Sequence, residues 1–156
     1  IKEILLEYKN VHLILYGQGP LLNEMKKLVN NLNLQNQIHF MGFVSDLHHH
    51  LGGLDLVVHP AEKEGMGVSL LQSLSAGVPV VANNVGGIPE IIKNSRNGLL
   101  IPVGDGKALK NALKELLSNS PMREKLGIQG KSMMKLEFSI NSMAQNYIDL
   151  YKKLIN

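Results

Sequence analysis

The chain contains no cysteine and no tryptophan, and its aromatic share is only 4%. Without thiols it has no disulfide scaffold, no thiolate metal site and no cysteine nucleophile. That absence fits a reducing compartment. Few aromatics leave few platforms on which nucleic-acid bases could stack. Charge of one sign is also scarce: 16 Lys and Arg face 13 Asp and Glu, a net charge of +3. No dense basic run accompanies it, so nucleic acid is not an expected partner. No apolar run approaches the ~18–20 residues needed to cross a bilayer. The first residues carry no signal-peptide pattern.

What is present is a chain of 156 residues, 44% hydrophobic, which reads as one domain over 1–156. A chain of this size buries roughly 68–70% of its unfolded surface. It starts at Ile1, and Ile4, Leu5 and Tyr8 already lie at helical spacing. The expectation is a piece cut from a longer protein.

Strand and helix signals alternate from there. Apolar strands are expected at 11–16, 38–41, 54–59, 78–82 and 98–102. Helices are expected between them, with a stripe of Leu21, Leu22, Met25, Leu28, Val29 and Leu32 in one and Leu109, Ala112, Leu113, Leu116 and Leu117 in another. Pro20 suits a first helical turn, Ser45 and Asp105 suit caps, and Gly77 suits the position after a helix end. Two more helices are expected over 121–136 and 139–154. Such alternation implies an α/β fold with a mostly parallel sheet flanked by helices. Ligands then bind where the carboxyl ends of strands feed into helices. The glycine-rich loops after Tyr16, Met41, His59 and Ala82 all fall at that edge.

Glu64-Gly65-Met66-Gly67-Val68 is the most informative of these loops. Its glycines let the backbone approach a ligand closely. The helix start beyond them offers free N–H groups and a partial positive charge, which suit a diphosphate. Glu64 adds an acceptor for sugar hydroxyls, and Gln72 lies two turns along the helix. The same segment also fits a plain strand-to-helix turn with a surface glutamate. Gly17-Gln18-Gly19 resembles the start of a dinucleotide fingerprint, but Leu22 stands where the third glycine belongs and no acidic residue ends the next strand. Gly86 and Gly87 are expected to bring backbone N–H groups to the same site, and Glu90 to complement a helix start. His48, His49 and His50 point about 100° apart on a helix and cannot converge on one ion. His12, His39 and His59 have no fixed spacing to a carboxylate, so no metal site is expected. Ser69, Ser73 and Ser75 lack the elbow of a hydrolase.

Taken together, LILYGQGP, IHFMGFVSDL and HPAEKEGMGVSLLQSLSAGVPVVANNVGGIPEIIKNSRNGLLIPVGD resemble the donor-binding domain of the retaining GT-B glycosyltransferases of the glycosyl transferases group 1 class. The resemblance covers nearly the whole chain. It implies a Rossmann-like domain, the C-terminal half of a GT-B fold, that lacks its first strand. That strand would lie centrally between the segments at 11–16 and 55–58, and its absence should leave apolar strand edges exposed. Glu64 would be the first glutamate of the family's motif, the catalytic carboxylate that contacts the donor sugar. Gly65 lies in the same loop. Backbone N–H groups of Met66 and Gly67 would reach the sugar, and those of Val68 and Ser69 the diphosphate. Gln72 stands where the family places a second glutamate on the ribose, so its bond is neutral and weaker. Phe43 and Val44 would face the base, and Gly17 and Gly19 would line the nucleotide cleft.

The implied partners are a UDP- or GDP-sugar, used without cofactor or metal, and an acceptor domain elsewhere in the same protein. The implied reaction builds a glycan or glycolipid. The implied location is the cytoplasm, with peripheral contact on the inner membrane face. A non-catalytic nucleotide-sugar binding module and a GT-B-fold sugar-nucleotide epimerase remain the alternatives.

Overall fold

Branched apolar runs and helical stretches take turns along the backbone as their residues dictate. The computed structural model describes residues 1–155. In chain order it contains α1 (Lys2–Glu7), β1 (Leu13–Tyr16), α2 (Leu22–Asn31), β2 (Ile38–Gly42), α3 (Leu47–Leu51), β3 (Val57–His59), α4 (Val68–Ser75), β4 (Val80–Asn83), α5 (Ile88–Ile91), β5 (Gly98–Ile101), α6 (Gly106–Ser118), α7 (Ser120–Glu137) and α8 (Ile140–Ile155). Every strand pairing is parallel, as expected of an α/β chain.

The pairing falls into two sheets, β1-β2 and β3-β4-β5, with β4 in the middle of the second. The chain divides correspondingly into two units, Ile1–Leu47 and the residues from His48 onward. Strand β1 and strand β3 each stand at an end of their sheet's strand order. Among the described residues, each of those strands pairs on one side only.

In the first unit Leu5, Val29 and Leu34 form the buried centre, with Leu13, Ile38 and Phe40 packed on it. Gln37 ties α1 to the segment that leads into β1, its Nε2 donating to the carbonyls of Leu5, Tyr8 and Val11 at 3.0–3.1 Å. The stripe expected on α2 is realised only in part: Val29 is buried, whereas Leu21, Met25 and Leu28 are exposed. Pro20 stands in the turn before α2, outside its first helical turn.

In the second unit the strand at the centre, β4, is buried throughout. Leu70, Leu74, Val80, Ala82, Ile88, Ile91, Ile92, Met133 and Met134 pack into one core around it. Helices α4 and α7 meet closely because two glycines face the contact. A Cβ at Gly127 would lie 2.0 Å from the Gly77 carbonyl oxygen, and one at Gly130 would lie 2.8 Å from Leu74 Cδ2. Gly77 takes φ +81° just after α4, the left-handed turn that its sequence position predicts. Asp105 caps α6, accepting from the Ala108 N–H at 2.8 Å, also as predicted. Asn97 is wholly buried and bonds backbone on both sides: its Oδ1 accepts from Lys93 N–H at 2.7 Å and its Nδ2 donates to the Ile91 carbonyl at 2.9 Å. Helix α8 buries none of its residues. No helix among the described residues is long and apolar enough to cross a membrane.

Candidate active site

The parallel sheet of the second unit presents the carboxyl ends of its strands on one edge, and the chain leaves β3 there at His59 and β4 at Asn83. The two segments beyond these strands are locked together. Asn83, buried at the end of β4, donates through Nδ2 to the Ala61 carbonyl at 3.0 Å. The Gly87 N–H donates to the Gly65 carbonyl at 3.0 Å. A Cβ at Gly86 would sit 1.9 Å from the Glu64 carbonyl oxygen, and one at Gly87 2.2 Å from that of Gly65. Only glycine allows this approach, and Gly86 also takes φ +54°. The turn at 84–87 is therefore the floor on which the 61–67 loop rests. The expectation that Gly87 offers its N–H to a ligand is corrected, because that donor is used inside the protein.

The loop holds Glu64 with both carboxylate oxygens engaged. Oε2 lies 2.9 Å from His59 Nε2, and Oε1 accepts from the Gly65 N–H at 3.0 Å. The side chains of His59 and Glu64 are 22% and 28% exposed, so the pair remains open to a ligand. The hydrogen bond from His59 is the largest influence on the carboxyl, and it holds Glu64 below its ordinary value. Desolvation opposes it, while the backbone of Gly65 and Gly67 and the charge of His59 support it.

Helix α4 begins immediately afterwards. Gly67 precedes it in the left-handed region at φ +74°, and no side chain caps the helix. The first N–H groups of a helix have no intrahelical acceptor. Those of Val68 and Ser69 therefore point out of α4 beside the Glu64 loop, where the helix dipole favours negative charge. Met66 and Val68 are exposed. Gln72, half-buried, lines a concavity of about 340 Å³ with His48, Val68, Leu71, Ser75 and Ala76. Ser73 is turned inward, donating to the Ser69 carbonyl at 2.7 Å. Among the described residues no group of three or more His, Asp or Glu side chains could hold a metal ion.

Residues 1–133 match the family described as glycosyl transferases group 1. The chain belongs to this family. N-acetyl-alpha-D-glucosaminyl L-malate synthase of Bacillus anthracis is 30% identical over 139 residues, which are 89% of this chain and 36% of that protein. The C-terminal domain of the group 1 family glycosyl transferase LpcC of Francisella tularensis superposes with a TM-score of 0.80 at 26% identity. That match covers 89% of this chain and 75% of the other. HepE of Anabaena, solved in complex with UDP, superposes with a TM-score of 0.86 at 23% identity, over 97% of this chain and 44% of that one. The fold, parallel strands flanked by helices, is that of the GT-B glycosyltransferases. The chain spans less than half the length of the curated relatives it matches.

Within this group 1 glycosyltransferase chain, Glu64, Gly65, Met66, Gly67, Val68, Ser69 and Gln72 are brought to one loop and the helix it starts. Gly17, Gly19, Phe43 and Val44 belong to the first unit. There the Gly17 N–H donates to the Gly42 carbonyl, so the loops after β1 and β2 meet at the carboxyl ends of those strands. Phe43 is 70% exposed. The supports that sequence reasoning missed are His59 and Asn83, whereas Gly86 and Gly87 are expected at the site but serve as the seat of the loop rather than as donors to a ligand. No periodicity connects His59 to Glu64. Their pairing depends on the path of the intervening loop.

Proposed function

We propose that this chain is the donor-binding half of a retaining glycosyltransferase. In this reading it moves a sugar from a UDP- or GDP-sugar to a glycan or glycolipid acceptor, while the acceptor site lies in the rest of the protein. The observation that carries the reading is the Glu64 carboxylate, fixed by His59 and Gly65 beside the uncapped start of α4. Glu64 accepts bonds from donor-sugar hydroxyls and orients the anomeric carbon. The N–H groups of Met66 and Gly67 reach the sugar, and those of Val68 and Ser69 meet the diphosphate. When the glycosidic C–O bond breaks, negative charge builds on that diphosphate. A preorganised helix start stabilises it more in the transition state than in the ground state. Gln72 donates to or accepts from a ribose hydroxyl as a neutral group. The chain alone, without acceptor residues, binds donor weakly and transfers nothing.

Calorimetric titration with UDP, GDP and ADP and their sugar conjugates tests this. One nucleotide family should bind saturably. Glu64→Ala should weaken the sugar conjugate about tenfold, as loss of a charge-assisted bond predicts, and affect the free nucleotide little. Gln72→Ala should weaken both by a few-fold, as a neutral bond predicts. A folded chain that binds none of them would remove the donor-site reading.

A further inference from the structure

We propose that His59 is a positioning residue of the donor site, holding the Glu64 side chain in one orientation toward the sugar. This rests on the donor-site reading above and goes beyond it by naming a residue on which the carboxylate depends.

His59 is the last residue of β3, and its backbone is fixed by pairing opposite Ala82 of β4. Glu64 lies five residues on, in a stretch that belongs to no helix or strand. The main chain of that stretch is held from beneath by Asn83, Gly86 and Gly87. That support does not reach the carboxylate, which sits at the end of three rotatable bonds. The side-chain bond that anchors it to the sheet is the 2.9 Å contact with His59 Nε2. The Gly65 N–H, which bonds the other oxygen, belongs to the neighbouring residue of the same loop. Removing His59 therefore leaves Glu64 bonded only within its own loop, with its tie to the sheet lost.

The chemistry of the partner matters too. Two acceptors cannot bond to each other, so one proton sits between His59 Nε2 and Glu64 Oε2. With the carboxyl ionised, that proton is on the imidazole, which donates. A histidine donates one bond from one nitrogen. A guanidinium would instead take both oxygens in a fork. The bonds from His59 and Gly65 thus fix the carboxylate at both oxygens and leave it acceptor capacity for sugar hydroxyls.

The test follows the Glu64 side-chain carboxyl by carbon-13 NMR through an acid titration of the 156-residue chain. It also measures affinity calorimetrically for UDP, GDP and ADP and their sugar conjugates. His59→Leu should move the Glu64 titration up toward the ordinary glutamate range. It should cut sugar-nucleotide affinity about fivefold to tenfold and leave free-nucleotide affinity unchanged. His59→Gln, whose amide reaches the same point, should restore both. Should the Leu variant unfold by circular dichroism, His59→Asn, whose amide is too short to reach Glu64, takes its place. In a Glu64→Gln background the same loss should shrink, as expected of coupled residues. A folded His59→Leu with wild-type sugar-nucleotide affinity overturns the assignment. So does an equal loss for free nucleotide and sugar conjugate, which would mark a merely structural role. If the wild type binds no nucleotide at all, the donor-site reading fails and takes this assignment with it. In that case the Glu64 titration still moves in His59→Leu, which separates a real pair from a real donor site.

Discussion

Asn97 illustrates how one side chain can organise a loop. Its amide bonds Lys93 N–H on one side and the Ile91 carbonyl on the other while fully buried. Asn97→Leu would leave a donor and an acceptor without partners in a dry interior. We expect a loss of about 3 kcal/mol, measurable by urea unfolding. The Glu64 carboxyl carries a pH dependence whose sign is fixed. Its folded-state value is lowered, chiefly by His59. The stabilisation is therefore complete above the ordinary glutamate value and is lost as pH falls through the lowered one. The difference in Tm between wild type and Glu64→Gln should accordingly be largest near neutral pH and vanish in acid. At this scale the sequence was informative about groups that act through their own backbone neighbours. Asp105 as a cap and Gly77 as a left-handed turn follow from local rules. His59 does not, because its partner is chosen by the course of a loop that Asn83 and Gly86 determine.

Helices and strands were legible wherever an apolar pattern had something to pack on. The fully buried β4 and the stripe of α6 lie where their residues predict. The stripe of α2 overstated burial, since pattern reports what a helix can bury and not what covers it. Glycine-to-alanine exchange has opposite predicted signs at two helical positions, one at the contact of α4 with α7 and one at the start of α6. Alanine in a helix is intrinsically favoured over glycine by about 1 kcal/mol. At Gly127 the new Cβ would meet the Gly77 carbonyl oxygen at 2.0 Å, and overpacking costs about 1–3 kcal/mol. Gly127→Ala should therefore destabilise. Gly106, at the start of α6, has nothing within 4 Å of a Cβ position. Gly106→Ala should stabilise by about 0.5 kcal/mol. Thermal unfolding of the two variants side by side checks both signs.

For the molecule as a whole, apolar surface is unevenly distributed. Helix α8 exposes Ile140, Met143, Tyr147, Tyr151, Leu154 and Ile155 and buries no residue. Among the described residues, strands β1 and β3 each lack a partner strand on one side. Both features favour association as concentration rises. Replacing Tyr151, Leu154 and Ile155 with Gln should leave Tm nearly unchanged and reduce concentration-dependent sedimentation. Fold class and the parallel pairing were legible in the alternation of segments. The alternation reads as one mostly parallel sheet, and the division into two was not legible, because hydrogen-bond partners of a strand leave no periodic mark in its own sequence.

The seating of Glu64 and Gly65 on Gly86 and Gly87 is a contact of main chain on main chain. Such a joint is blind to side-chain identity at 64 and 65 but intolerant of any change in length on either side. As far as this seat is concerned, the side chains at 64 and 65 are thus open to change, whereas inserting a single residue would lift the loop from its seat. Exchanging this loop with that of a relative should succeed only when both segments, 61–67 and 84–87, are transplanted as one piece.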